Sequence, residues 1–262
     1  MTRTIAIVNQ KGGVGKTTTA VNLAAGIALA EKPTLLIDMD PQANATMSVG
    51  LRPEELERTV YDGLISPRDL AKAVQKTPIG HLSILPANAD LLAAEVKLVS
   101  DKKRALRLRS ALEALSPQFS HIIIDCPPSL GILTVNAICA SDSIIIPLQC
   151  EYYSLEGLSR TLDAIRVFRE TLGLHIKVEG LLLSMMDSRT KLSSEVAAEV
   201  RAHFAAKVFS TVIPRNVRVA EAPGHGKPVI LYDVGSRGSQ AFLSLTEEFL
   251  TSEGKEKTWS RA

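Results

Sequence analysis

Eight consecutive residues, Lys11-Gly12-Gly13-Val14-Gly15-Lys16-Thr17-Thr18, join three glycines to two lysines and two hydroxyls. Glycines let a backbone curl until successive N–H groups point inward at an anion, and a following helix adds the positive end of its dipole. An apolar run at 4–8 precedes this loop and a helical pattern at 16–30 follows it, the context in which the phosphate-binding pattern G-x-x-x-x-G-K-[ST] occurs. Gly15, Lys16 and Thr17 match the end of that pattern, while Gln10 stands at its first glycine position. Lys16 is spaced to reach the β- and γ-phosphates of a nucleotide, and the Thr17 hydroxyl to ligate Mg²⁺. Lys11 opens the loop and would face away from its own β-phosphate pocket in a conventional geometry. A glycine turn that merely carries a lysine is the bland alternative, and the strand before and helix after weigh against it.

Three aspartates belong to the same chemistry. Asp38, Asp40 and Asp125 each sit at or just past the carboxyl end of an apolar run, the edge of an open α/β sheet where ligands bind. Asp125 is placed to hold Mg²⁺, through a water, because that ion keeps much of its hydration shell. Asp38 is assigned behind it as a supporting group. A strand followed by Asp is also an ordinary turn-capping pattern; the loop upstream favours the metal role.

The elements that must position these groups follow from periodicity. Short β-branched runs at 4–8, 34–37, 82–85, 122–124, 144–146 and 178–183 predict buried strands. Helical patterns lie between them at 16–30, 90–99, 103–115, 155–172 and 193–204. This alternation predicts an α/β fold, a mostly parallel twisted sheet with helices on both faces. No repeat or Pro/Gly-rich linker divides the chain, so residues 1–250 are expected to form one domain. Residues 251–262 read as a polar, disordered tail.

Composition narrows the class. Hydrophobic residues make up 45% of the 262, enough for one substantial core, yet aromatics are only 4%, so aliphatic side chains must fill it. Thirty Lys and Arg against 28 Asp and Glu leave a charge of +2, too near neutral to argue for nucleic acid. Any such argument rests on local clustering. Cys126, Cys139 and Cys150 form no CxxC pair and read as buried thiols of a reducing cytoplasm. The five histidines show no metal-ligand spacing. The apolar start is too short for a signal peptide, and no run reaches the roughly 18 residues of a membrane span. A soluble, cytoplasmic protein without membrane association is expected.

The loop with its early lysine resembles the deviant Walker A group of P-loop NTPases, and specifically the ParA/Soj family of chromosome and plasmid partition ATPases. The resemblance extends along nearly the whole chain. Residues 38–46 (DMDPQANAT) are similar to the family's switch I, and 122–131 (IIIDCPPSLG) to its Walker B and switch II. Residues 149–157 (QCEYYSLEG) and 212–218 (VIPRNVR) are close to further signatures. The resemblance implies an ATPase using ATP and Mg²⁺, with Gly12 to Thr18 cradling the phosphates. It implies that Lys11 reaches across a homodimer to the other subunit's nucleotide, and that Asp40 positions the attacking water. It also implies that Pro214 and Asn216 line the adenine pocket, a role that a lone Pro-x-Asn would not suggest. Tyr152 and Tyr153 are expected beside the site or at a dimer contact.

Between 189 and 237, basic residues outnumber acidic ones. A solvated helix face with ion pairs explains that equally well. The resemblance matches Arg189 and Arg218 to positions implicated in non-specific binding of double-stranded DNA. The implied cycle is an ATP-driven dimer on DNA, nucleoid-associated, with weak basal hydrolysis stimulated by DNA and by a ParB/Spo0J-type partner. The chain starts almost at its first strand, like short family members without an N-terminal helix-turn-helix domain. Three alternatives remain at this stage. One is a MinD-like membrane switch, for which the tail offers only Trp259; another is an electron-transfer iron protein, whose cysteine-glycine context is missing. The third is a relative that positions another cargo.

Overall fold

The computed structural model describes residues 2–151, 154–204 and 207–252. Tyr152, Tyr153 and Trp259 lie outside them, as does the expected tail beyond Ser252.

Seven strands form one sheet: β1 (Arg3–Ile7), β2 (Thr34–Asp38), β3 (Gln75–Lys76), β4 (Leu82–Leu85), β5 (His121–Asp125), β6 (Ser143–Gln149) and β7 (Lys177–Ser184). Their order is β3-β4-β2-β5-β1-β6-β7, and every pairing is parallel except that of β3 with β4. β3 is a two-residue antiparallel edge that periodicity did not predict; it is too short to carry a period.

The central strands are apolar on both sides because helices cover both faces. Ile5 and Ile7 of β1, Leu36 of β2, Ile123 of β5 and Ile145 of β6 face one hydrophobic layer. Ala6, Leu35, Ile37, Ile122, Ile124, Ile144 and Ile146 face the other. The first layer is closed by the helices Lys16–Leu29 (α1) and Arg237–Ser252 (α11), the last contributing Phe242, Leu245 and Phe249. The second is closed by Leu91–Lys97 (α4), Arg107–Leu112 (α5), Ile132–Ala140 (α6), Ser154–Leu172 (α7) and Lys191–Phe204 (α8). Among the described residues, short α-helices also lie at Asn44–Ser48 (α2), Val60–Ile65 (α3), Val217–Glu221 (α9) and Val229–Tyr232 (α10).

One expectation is corrected, and two long elements lay outside the expectations. The pattern at 103–115 is not one helix: it divides into a 3-10 turn, Arg104–Leu106, and α5. α6 and α11 were not predicted. α6 is apolar nearly all round and rich in β-branched residues, so it carries no amphipathic stripe. α11 does carry one, at Phe242, Leu245 and Phe249, and it runs against α1 at Gly26. A Cβ there would lie 2.2 Å from Thr246 Oγ1, so a glycine permits this helix contact.

Candidate phosphate-binding site

β1 ends in the middle of the sheet, flanked by β5 and β6. Its exit therefore opens on the carboxyl edge, where the strand order reverses. The loop that follows turns through Gly13 (φ 73°) and Gly15 (φ 88°), left-handed conformations that cost a side-chain-bearing residue energy. A Cβ at Gly12 or Gly13 would meet nothing within 4 Å, so nothing packs against the loop at these two exposed glycines. α1 starts at Lys16 without any side-chain cap. Its first N–H groups have no intrahelical partner, which makes this end an anion site.

Neighbouring strands brace the loop. Asn9 Oδ1 accepts the Lys11 N–H at 2.9 Å, and Asn9 Nδ2 donates to the Pro147 carbonyl at 2.7 Å. Gln149, at the end of β6, donates to the Gly13 carbonyl at 3.0 Å. Ser184, at the end of β7, donates to the Val14 carbonyl at 2.8 Å. These three bracing side chains were not singled out from the sequence, since each acts across more than 130 residues. Their position at strand ends was the available signal.

Lys16 is buried, and its Nζ donates to the Lys11 carbonyl at 3.2 Å. Burial lowers its pKa, opposed chiefly by the field of Asp125. Lys11 instead extends outward to Glu151, with Nζ and Oε2 2.7 Å apart. In one subunit the loop's two lysines thus serve different surroundings.

The aspartates converge as the sheet register requires. Asp38 and Asp125 are direct cross-strand partners at the ends of β2 and β5, and Ile7 is opposite Asp125 on the other side. Asp125 is fully buried, and neither carboxylate oxygen has a hydrogen-bond partner of good geometry. Burial pushes its carboxyl well above the usual range, reinforced by Asp38; the Thr17 hydroxyl and Lys16 pull only partly the other way. Asp38 is also fully buried, but satisfied: it accepts from the Asp40 N–H at 3.1 Å and from Thr46 N and Oγ1, both at 2.8 Å. Burial still pushes it up to about 6. Asp40 is buried in the turn beyond β2, where its Oδ1 accepts the Gln42 N–H at 3.0 Å.

A buried carboxylate with both oxygens unpartnered, next to Thr17 and a buried lysine, fits Mg²⁺ and its waters. The donors are hard oxygens, as that ion requires. Thr17 and Asp125 would hold it, with Asp38 behind.

Pro214 and Asn216 part company. Pro214 bridges to Met186 and lines a cavity of about 830 Å³ with Met186, Val212, Val217, Gly235 and Gln240. Asn216 is not among the lining residues. Its Oδ1 caps α9 by accepting the Arg218 N–H at 3.0 Å, and it packs beside Gly238. Both arginines matched to DNA contacts are exposed but engaged within the subunit. Arg189 forms a two-point pair with Asp187, at 2.9 and 2.7 Å, which holds that carboxyl below the usual range. Arg218 lies between Glu221 at 2.8 Å and Asp233 at 3.2 Å.

Comparison with known proteins agrees with this geometry. A profile described as AAA domain matches residues 2–178. The sporulation initiation inhibitor protein Soj of Bacillus subtilis is 51% identical over 95% of this chain and 98% of its own. Chromosome partitioning protein ParA of Myxococcus xanthus is 49% identical over 95% of this chain and 88% of its own. Cobyrinic acid a,c-diamide synthase from Mycobacterium smegmatis with bound ADP and magnesium superposes with a TM-score of 0.86 at 33% identity, covering all of both chains. At that identity and coverage, with the glycine loop and its three aspartates in one place, the chain belongs to the Soj/ParA family of chromosome-partitioning P-loop ATPases.

Proposed function

We propose that this chain is an ATP-switched DNA segregation protein. In this reading residues 1–250 act as one ATPase domain that binds Mg-ATP, pairs face to face with a second copy and then binds double-stranded DNA non-specifically. The observation that carries the nucleotide part is the orphaned Asp125 carboxylate beside the open glycine loop. A buried polar group without a partner is costly, and a hydrated cation relieves that cost.

The residues divide the work. Backbone N–H groups of residues 12–18 and the start of α1 hold the phosphates, and Lys16 lies buried against them. Mg²⁺, when bound, neutralises phosphate charge. Asp40 orients the attacking water; phosphoryl transfer depends mainly on such positioning and on charge stabilisation. Pro214 and Asn216 receive the base, Asn216 also fixing the turn through its helix cap. Lys11 leaves Glu151 and points into the second subunit's nucleotide. Arg189 and Arg218 meet DNA phosphates from the dimer. Hydrolysis, slow alone and stimulated by DNA and by a ParB/Spo0J-type partner with a basic segment, ends the bound state. That cycle would keep the protein on the nucleoid.

The iron-protein alternative has less support. Cys126, Cys139 and Cys150 are all buried within the subunit, and burial raises each thiol's pKa, Cys139 to about 11. A cluster shared between subunits needs exposed thiolates. Among the described residues no helix is long and apolar enough to cross a membrane.

Titrating the protein with labelled ATP, with and without Mg²⁺, tests the nucleotide reading. Binding that Mg²⁺ strengthens and Lys16→Ala abolishes supports it; binding indifferent to both would contradict it.

A further inference from the structure

A second cavity, of about 650 Å³, is lined by none of the residues of the glycine loop. Its walls come from the segment after α4, from the Leu130–Ile132 stretch that leads into α6, and from the last turns of α7. The lining is mainly apolar: Val99, Ala105, Leu130, Ile132, Val167 and Phe168. Val99 and Val167 are 64% and 51% exposed, with Leu92 and Val96 of α4 also exposed nearby. Isolated exposed valines need no explanation, but several around one groove mark an interaction surface.

The rim has a sign. Lys102, Lys103 and Arg104 are consecutive and exposed. Among the described residues, none of the three is in an ion pair; Arg104 donates only to the Val99 carbonyl. The nearby Asp101 is already taken by Arg107. The one carboxylate in the wall, Glu95, turns inward towards Gly131, with Oε1 3.0 Å from where a Cβ would sit. The groove therefore presents an apolar floor and a basic edge at Lys102 and Arg104 that no ion pair occupies among the described residues.

We propose that this groove docks an amphipathic helix of a partner protein, with apolar residues at i, i+3 or i+4 and i+7 and with acidic flanks. Helix-in-groove recognition uses that anchor spacing, and the acidic flanks complement Lys102 to Arg104. The partner differs in charge from the basic segment invoked above, so the two do not compete for one chemistry. One wall of the groove begins five residues after Asp125, so a docked helix would rest on the loop that leaves the metal aspartate.

The experiment uses the full chain and two synthetic fluorescent peptides. Both carry leucines at helical i, i+3, i+7 spacing; one has glutamates elsewhere and the other lysines. Anisotropy should show the glutamate peptide binding with an affinity that falls as salt rises, and the lysine peptide binding at least tenfold more weakly. Val167→Glu, an exposed position whose unfolding midpoint can be checked, should abolish binding. Lys102→Glu combined with Arg104→Glu should reverse the peptide preference. Equal binding of both peptides, binding of neither, or binding indifferent to Val167→Glu overturns the proposal. So does self-association of the wild type that Val167→Glu removes, which would make the occupant a second copy.

Discussion

Lys11 and Glu151 form an ion pair 2.7 Å long across 140 residues of sequence, joining the start of the glycine loop to the end of β6. A lysine proposed to serve a second subunit is thus already paired within its own. Both side chains are substantially exposed, and pairs of this kind contribute about 0.2–1 kcal/mol. Glu151→Gln should therefore leave the unfolding midpoint nearly unchanged. It should tighten the ATP-dependent dimer roughly two- to thirtyfold, because two such pairs are released per dimer. Sedimentation equilibrium with a non-hydrolysable ATP analogue checks this. A weaker dimer would mean that Glu151 itself contributes to the interface.

Asp40 and Lys16 should separate hydrolysis from binding. Asp40 makes a local turn contact and does not touch the glycine loop's backbone bonds. Asp40→Ala should bind Mg-ATP and dimerise, yet hydrolyse about 100-fold more slowly, the lower end of what a positioned side chain supplies. Lys16→Ala should fail at nucleotide binding. Filter binding alongside phosphate release distinguishes them, and equal loss of ATP affinity in both variants contradicts the division.

Asp125 predicts a pH effect with a definite sign. Its folded pKa is raised above the unfolded value, so the ionised carboxylate costs the nucleotide-free protein stability above that pKa. The cost declines as pH falls below that pKa and is gone below the unfolded value. Asp125→Asn removes the charge and should raise the unfolding midpoint of the nucleotide-free protein at pH 8 by several degrees. That gain should shrink towards pH 5. The same variant should lose the strengthening of ATP binding by Mg²⁺. A gain that grows in acid would reverse the sign and refute the assignment.

Much of the site was legible because its parts are local in sequence or fixed by strand ends. Residues 12–18 needed only their own order, and Asp38 and Asp125 needed only the apolar runs that precede them. What each group touches was not legible. Thr46 satisfies Asp38 from the next helix, and Glu151 reaches Lys11 from the turn beyond β6; neither contact has a sequence signature. α6 escaped because a helix buried on all sides has no amphipathic period. That Asn216 also caps a helix through its side-chain oxygen was not legible either, although Asn is common at that position.

Arg218 lies between Glu221 and Asp233, so binding DNA requires an exchange of partners. Each phosphate neutralised contributes about −0.9 to the slope of log K against log salt. With one proposed phosphate contact per subunit, Arg218→Ala should flatten the dimer's slope by roughly 1.8, similarly for unrelated DNA sequences. Glu221→Gln should strengthen DNA binding at low salt by loosening the competing pair. An unchanged slope in Arg218→Ala would place this residue off the DNA surface.

In the proposed cycle nucleotide assembles a dimer through Lys11, and only the dimer holds DNA. Light scattering and DNA retention, measured together without nucleotide, with ADP and with a non-hydrolysable ATP analogue, test it on wild type and on Lys11→Ala. The account predicts a dimer and DNA retention only for wild type with the ATP analogue. Lys11→Ala should bind nucleotide to within a few-fold of wild type, remain a monomer and release DNA. A Lys11→Ala protein that dimerises and retains DNA like wild type would contradict the account.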